Sequence, residues 1–146
     1  MPDIQTTRGD SRLVAIPVFD ADLDAYRTAT EISTASAIEY VVTDTPEAST
    51  NYLTKTFNDA SVNVQEAQNV ETVELSEVQD ANPEAAVITV KLEVSDTQDL
   101  PIETLWHECQ LTDSNGNVNT IMRGDFDVLE SATNPSLRRW VSTSTR

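Results

Sequence analysis

The side chains best suited to catalysis or metal binding are one histidine and one cysteine, placed two residues apart. His107 and Cys109 lie in an alternating stretch, so both are predicted to point to one face of a strand. Zinc would need further nitrogen or sulfur ligands, and the sequence has no other His or Cys. No nucleophile motif or phosphate loop accompanies them. We therefore predict a pair of core residues in a protein that is not an enzyme and holds no cofactor.

An acidic stretch has the spacing of a calcium loop. Asp20, Asp22 and Asp24 match the first carboxylates of such a loop, and Glu31 stands at its twelfth position. The sixth position is Ala25, where the loop needs a glycine for its sharp turn. A solvated acidic loop is the reading that this departure favours, and we predict no metal site.

The tripeptide Arg-Gly-Asp occurs twice, at residues 8–10 and 123–125. Such short motifs recur by accident, so we assign them no recognition by integrins. Gly9 and Gly124 are instead predicted to permit a close backbone approach or a bulge at the start and the end of strands.

The clearest structural signal is a β-hairpin over residues 105–128. The predicted inward side chains of its first strand are Leu105, His107, Cys109 and Leu111. Those of the return strand are Val118, Thr120, Met122, Gly124, Phe126 and Val128. The turn is Asp113-Ser114-Asn115-Gly116-Asn117, in which Asn115 and Gly116 are expected to supply positive φ angles. A period of two indicates one face packed on a core.

Other alternating segments extend this pattern to a sandwich. The predicted strands include Ile38 to Val42, Ile88 to Val94, residues 13–19, and shorter pieces near residues 53–57, 62–64 and 70–75. Residues 13–19 are apolar on both faces, as in a central strand between two layers, while Pro17 indicates an edge or a bulge. One helical turn is predicted over residues 76–84, with Ser76 as its cap. Seven or so short strands predict an all-β antiparallel sandwich.

Charge is the second pronounced feature. The chain has 25 acidic and 9 basic residues, a net charge of −16, and Lys55 and Lys91 are its two lysines. This composition is typical of surfaces adapted to concentrated salt, where a Debye length of roughly 3 Å at 1 M screens self-repulsion. An ordinary acidic surface is the alternative. The charge disfavours nucleic-acid binding, and we expect neither a membrane span nor a secretory signal.

The last sixteen residues differ from the rest. Residues 131–146 contain no acid but three arginines, which leaves 25 acids against six bases, about −19, on residues 1–130. The predicted interface residues of this basic C-terminal arm are Leu137, Arg138, Arg139, Trp140 and Val141. Tryptophan and arginine often anchor interfaces, so the arm is predicted to dock on a neighbouring copy. A frayed terminus, or packing on its own domain, is the alternative.

Motifs at the two ends of the sandwich resemble a known family. They are Thr6-Thr7-Arg8-Gly9-Asp10 near the start, then Thr112-Asp113 followed by Gly116, and finally Gly124, Phe126 and Val128 on the return strand. Their order resembles the N-terminal immunoglobulin-like domain of the upper baseplate proteins of tailed phages. The resemblance covers most of residues 5–129, although the middle, residues 46–86, is longer than in that family.

The resemblance implies an immunoglobulin-like β-sandwich over residues 1–130 that acts in a virion. With the salt-adapted surface, the expected function is that of a structural protein of a halophilic tailed virus, located in the tail or baseplate. The module would form a homo-oligomer and hold fibre or receptor-binding subunits. The alternatives are a capsid decoration protein and a cell-surface or carbohydrate-binding module.

Overall fold

A computed structural model describes residues 3–57, 61–72 and 75–130. The strands of this part are β1 Ile4–Thr7, β2 Arg12–Pro17, β3 Phe19–Asp20, β4 Ala25–Tyr26, β5 Ala37–Thr43, β6 Asn51–Thr56, β7 Val62–Glu66, β8 Ala86–Leu92, β9 Thr104–Thr112 and β10 Val118–Leu129. The helices are α1 Ala29–Ile32, α2 Ser76–Ala81 and α3 Val94–Thr97, with a 3-10 turn at Ala67–Asn69. None of the helices found in this part is long and apolar enough to cross a membrane.

Two sheets pack face to face and confirm the predicted all-β sandwich. One has the order β1-β10-β9-β5-β6 and the other the order β2-β8-β7, while β3 and β4 form a separate hairpin. In immunoglobulin terms β2, β8 and β7 take the places of strands B, E and D, and β10, β9, β5 and β6 those of G, F, C and C′. The pairing is antiparallel except between β1 and β10, which run parallel.

The β9–β10 hairpin confirms the inward face predicted for β9. Leu105, His107, Cys109 and Leu111 are all buried. The inward face predicted for β10 is wrong at its beginning. Thr120 pairs with Gln110 and Met122 with Cys109, so Ile121 is the extra residue of a bulge. The extra residue reverses the alternation, which places Val118 and Thr120 on the outer face.

The core lies between the two sheets and is assembled from alternate residues of their strands. Its largest fully buried members include Tyr40, Phe126, Ile38, Ile88, Leu92 and Leu105. Burial of each such side chain stabilises the fold by roughly 1.5–3 kcal/mol before the entropy of ordering it is subtracted.

A second, smaller cluster covers the outer face of β2 and β8. It consists of Ala15, Ala67, Val70, Leu75, Ala85 and Val87. Strand β2 is therefore apolar on both faces because both faces are covered, as predicted. It is nevertheless an edge strand rather than a central one, and Pro17 stands at its end. Proline is tolerated there because an edge leaves one side of the strand without a ladder partner.

Three local predictions are wrong. Val94 does not continue β8 but begins α3, which follows a capping box between Glu93 and Asp96. Of the strand predicted over residues 70–75, the described residues are not in a strand, since Val70 and Leu75 are buried on a segment without a strand's period. Helix α2 does begin at Ser76, but its cap position is occupied by Leu75, which makes no side-chain capping bond.

Candidate interaction surface

His107 and Cys109 lie in the core. The hydroxyl of Tyr40 lies 2.9 Å from Nδ1 of His107, and Phe126 packs edge-on against the imidazole with ring centroids 5.6 Å apart. Burial raises the pKa of the Cys109 thiol to about 12, so the thiolate that nucleophilic or metal chemistry requires is not formed at neutral pH. Across residues 3–57, 61–72 and 75–130, no group of three or more His, Cys, Asp or Glu side chains is arranged to hold a metal ion.

The acidic loop is held together by protein donors. Asp20 accepts hydrogen bonds from the backbone N–H groups of Asp22 and Leu23 with one carboxylate oxygen, and from Arg27 at 2.8 Å with the other. The bond from Arg27 is the main reason that the pKa of Asp20 is lowered. Glu31 accepts a bond from the backbone N–H of residue 28, closing the capping box of α1. The carboxylates at the first and twelfth positions therefore serve the loop itself.

The hairpin turn is organised by an aspartate as much as by a glycine. One carboxylate oxygen of Asp113 accepts bonds of 2.9 Å from the backbone N–H groups of both Asn115 and Asn117. Gly116 has a φ of +89°, as predicted, whereas the positive φ expected at Asn115 is wrong. The five-residue loop needs one left-handed residue rather than the two of a two-residue turn.

The first Arg-Gly-Asp tripeptide forms the connection from β1 to β2. Gly9 has a φ of +91°, and the N–H of Asp10 donates to the carbonyl of Thr7 across the turn. The buried Thr97 hydroxyl of α3 accepts from the N–H of Gly9 and donates to the carbonyl of Asp10 at 2.7 Å. This turn is fixed from inside the molecule, which is a structural role.

The second tripeptide lies within β10. Gly124 is buried opposite His107, and the bulge lies at Ile121 rather than at this glycine. The Arg123 guanidinium lies 5.6 Å from the ring centroid of Trp106 on the outer face of the sheet. The predicted interface residues Leu137, Arg138, Arg139, Trp140 and Val141 lie outside the described residues.

An apolar groove runs along one side of the sandwich, between the edges of its two sheets. It has a volume of about 420 Å³ and is lined by residues 14–17 of β2 and 120–123 of β10, together with Ile4 and His107. His107 lines the groove, and Gly124 is its cross-strand partner on β10. We call this feature the edge groove.

Three large apolar side chains of β10 and of the β3–β4 hairpin are exposed. Phe19, Leu23 and Val118 are 50%, 64% and 60% exposed. Thr120 and Ile121 also line a wide, more polar depression that includes Asp20, Arg27 and Asp113.

The edge groove is the feature that sequence reasoning missed. Its one local signal is the pair of adjacent apolar residues Ile121 and Met122, which breaks the alternation expected of a strand with one buried face. The groove also requires that the edges at β2 and β10 lie on the same side of the sandwich. This depends on the order of the strands in the two sheets, which has no local signal.

Comparison with known proteins adds little beyond the fold. No family model matches the sequence, and no curated protein matches it. Among solved structures, the chain is similar to AggA, the major subunit of aggregative adherence fimbriae type I from Escherichia coli, with 8% sequence identity and a TM-score of 0.34. That similarity covers 90% of this chain and 91% of AggA. The fold class therefore rests on the strand order described above.

Proposed function

We propose that the protein is a non-enzymatic structural subunit of the virion of a halophilic tailed virus. It would act as a tail or baseplate adaptor that forms a homo-oligomer and holds fibre or receptor-binding subunits. The supporting observation is that the sequence motifs shared with the phage baseplate domain come from adjacent strands. Thr6 and Thr7 of β1 pair with Val128 and Leu129 of β10, at the end of the Gly-x-Phe-x-Val pattern.

The distribution of chemically reactive groups supports an assembly role over a catalytic one. The single imidazole and the single thiol are fully buried, the imidazole packs edge-on against Tyr40 and Phe126, and burial raises the pKa of the thiol to about 12. The edge groove, in contrast, is an apolar feature at the surface of the described residues. Such surfaces act by being buried against another protein.

The surface charge supports a halophilic origin. No described Asp or Glu is buried, so their negative charges lie at the solvent boundary. The chain has 25 acidic residues and 9 basic ones, so the acids far outnumber the cations that could neutralise them. Concentrated salt would screen the remaining repulsion. Dialysis into dilute buffer should therefore abolish the cooperative unfolding transition, and retention of that transition would contradict the halophilic part of the proposal.

Electron microscopy of the source particles tests the location. Gold-labelled antibody raised against the full chain should bind at the tail or baseplate of purified virions. Labelling over the capsid would instead favour a decoration protein. Labelling of host cell envelopes without labelling of particles would overturn the virion proposal in favour of a cell-surface module.

A further inference from the structure

Within residues 3–57, 61–72 and 75–130, two sheet edges lie uncovered on the same side of the sandwich. Strand β1 pairs with β10 only along residues 126–129, and β2 pairs with β8 alone. Within the described residues, the stretch of β10 before residue 126 therefore has a neighbouring strand on its β9 side only. The edge groove lies between this stretch and β2. Uncovered edges offer N–H and C=O groups to an added strand.

Just before β1 begins, the edge of β10 is hydrogen-bonded by a side chain instead of by a neighbouring strand. The carboxylate of Asp3 accepts a hydrogen bond of 2.9 Å from the backbone N–H of Asp125. This N–H therefore points away from β9 and towards the open side. Because a strand directs its backbone groups to the same side at every second residue, Arg123 offers its own N–H and C=O to that side. The hydrogen-bonding edge thus continues into the groove beyond the end of β1.

The walls of the edge groove suit apolar side chains. Ile4, Ile16, Ile121 and Met122 contribute apolar surface. A strand that inserted here would make backbone hydrogen bonds to β10 and place alternate side chains between the two sheets. This is the mode of recognition called strand addition.

We propose that the edge groove binds residues 135–141 of a second copy of this chain as an added strand. The inference rests on the proposed assembly function and names the surface on which the arm docks. Residues 131–146 form the only stretch outside the described residues that is long enough to make a strand, since the others contain two or three residues each. The apolar side chains of this stretch are Leu137, Trp140 and Val141, apart from the single Ala132 at its start.

Charge favours the same occupant. The arm carries Arg138, Arg139 and Arg146 and no acid, whereas residues 1–130 carry about −19. Exposed Asp3 and Asp125 are joined by a hydrogen bond, and Asp3 directly precedes Ile4, which lines the edge groove. The two arginines near Trp140 would approach these carboxylates. In concentrated salt this attraction is short-ranged, so it acts on docking geometry rather than at a distance.

The path of the chain favours a second copy over the same chain. β10 ends at Leu129, and β1 occupies the edge between that end and the groove. To fill its own groove the arm would have to reverse at Glu130, pass β1 and return about 23 Å to Met122. The eight residues from Leu129 to Leu137 span about 27 Å when fully extended, which leaves little length for the reversal. An arm that continues along the strand direction reaches a neighbouring molecule without reversing.

The contact would be heterologous, since an arm on one copy meets a groove on the next. Repetition of such a contact closes a ring when the rotation between copies allows it, and forms a filament when it does not. A ring is what an adaptor in a tail or baseplate requires.

Disulfide trapping between two variants of the full chain, each with one cysteine added to the native Cys109, tests the proposal. Thr120→Cys is placed in the groove and Leu137→Cys in the arm, and the two proteins are mixed in concentrated salt with a mild oxidant. The native Cys109 is buried and does not compete. The expected product is a disulfide-linked dimer that forms only in the mixture. Thr54→Cys, an exposed threonine on the opposite edge strand β6, is the matched control and should not link to Leu137→Cys.

A second variant keeps the test decisive if Thr120→Cys impairs folding. Pro17→Cys lies on the facing wall of the edge groove and should also link to Leu137→Cys. Absence of both links would overturn the proposal, as would a link that forms only within one chain carrying both cysteines. If the links fail while the full chain still forms an arm-dependent oligomer, the groove inference falls and the assembly function stands. If the full chain is a monomer in concentrated salt, the assembly function falls as well.

Discussion

The two halves of β10 are parts of one strand with opposite environments. From Gly124 to Leu129 the strand has β9 on one side, and β1 covers the other side along residues 126–129. There Gly124, Phe126 and Val128 are buried in strict alternation. From Val118 to Arg123 it pairs with β9 alone among the described strands, and no residue of this stretch is fully buried. The bulge at Ile121 and the end of β1 account for this difference.

We call residues 124–129 the covered half of β10 and residues 118–123 the open half. The covered half stabilises the fold, whereas the open half is available for binding. The covered half contributes Phe126 to the core beside His107 and Tyr40, so its side chains are committed to folding. The open half contributes few core contacts and leaves a backbone edge and an apolar groove. Regions with few buried contacts can be used for binding because changing them has little effect on the fold.

The largest effect should separate the two halves directly. Phe126→Ala should lower the free energy of unfolding by about 3–5 kcal/mol, since it leaves a cavity between the sheets. Thr120→Ala, in the open half, should change it by less than about 0.5 kcal/mol. Denaturant unfolding in concentrated salt measures both. Equal effects would show that the two halves of β10 support the fold alike and would remove the basis of the comparison.

A smaller loss of stability is expected from changing the pair Tyr40 and His107, which lies beside Phe126 in the core. Tyr40→Phe removes the hydroxyl that lies 2.9 Å from Nδ1 of His107, and both groups are buried. Leaving a buried ring nitrogen without this partner should cost about 1–3 kcal/mol. Tyr52→Phe, at a tyrosine 37% exposed on β6, is the matched control and should be nearly neutral. A neutral Tyr40→Phe variant would mean that the pair fills space without contributing polar stabilisation.

The opposite edge of the five-stranded sheet is fastened by an ion pair. Lys55 of β6 lies 3.0 Å from Asp96 of α3, and both side chains are 14% exposed. Lys55→Met should cost more than the about 0–1 kcal/mol of an exposed pair, yet less than the about 3–5 kcal/mol of a fully buried one. Lys91→Met is the control, because its pair with Glu93 is 3.7 Å long and exposed. If Lys55→Met and Lys91→Met lower the free energy of unfolding equally, the ion pair does not stabilise the edge at β6, and this edge is no more stable than the open half of β10.

The smallest effect should come from the turn that leads into the open half. The backbone N–H of Asn117 is the main donor that lowers the pKa of Asp113 below its ordinary value of 3.8. A lowered pKa means that the ionised form stabilises the fold above pH 3.8, and that this stabilisation is lost as the pH falls through the folded-state value. Asp113→Asn should therefore melt slightly below the wild type near neutral pH. The difference should vanish in acid, and a constant difference would contradict this cause.

Local periodicity predicted those elements whose side chains alternate without interruption. Strands β5 and β9 follow directly from it, because each buries every second residue against one core. The beginning of β10 could not be predicted in the same way. Ile121 and Met122 are both apolar, so either alternation fits, and only pairing with β9 decides which residue is extra.

Features that depend on contacts between residues far apart in the chain could not be predicted from the local sequence pattern. The apolar character of residues 13–19 predicted two covered faces correctly but indicated a central strand, whereas Pro17 indicated an edge or a bulge and β2 is an edge strand. Val70 and Leu75 are as buried as strand residues, although they lie on a segment that reaches over β2 and β8 rather than in a ladder. The edge groove depends on both sheet order and the length of β1, neither of which has a local signature.

The mass of the protein in concentrated salt, with and without its arm, tests the central claim most directly. Analytical ultracentrifugation should find an oligomer for the full chain and a monomer for residues 1–130, with unchanged circular dichroism because the described strands and helices all lie within residues 3–130. That result would show that the sandwich supplies the fold and the arm supplies the assembly. An oligomer of unchanged size for residues 1–130 would contradict the account.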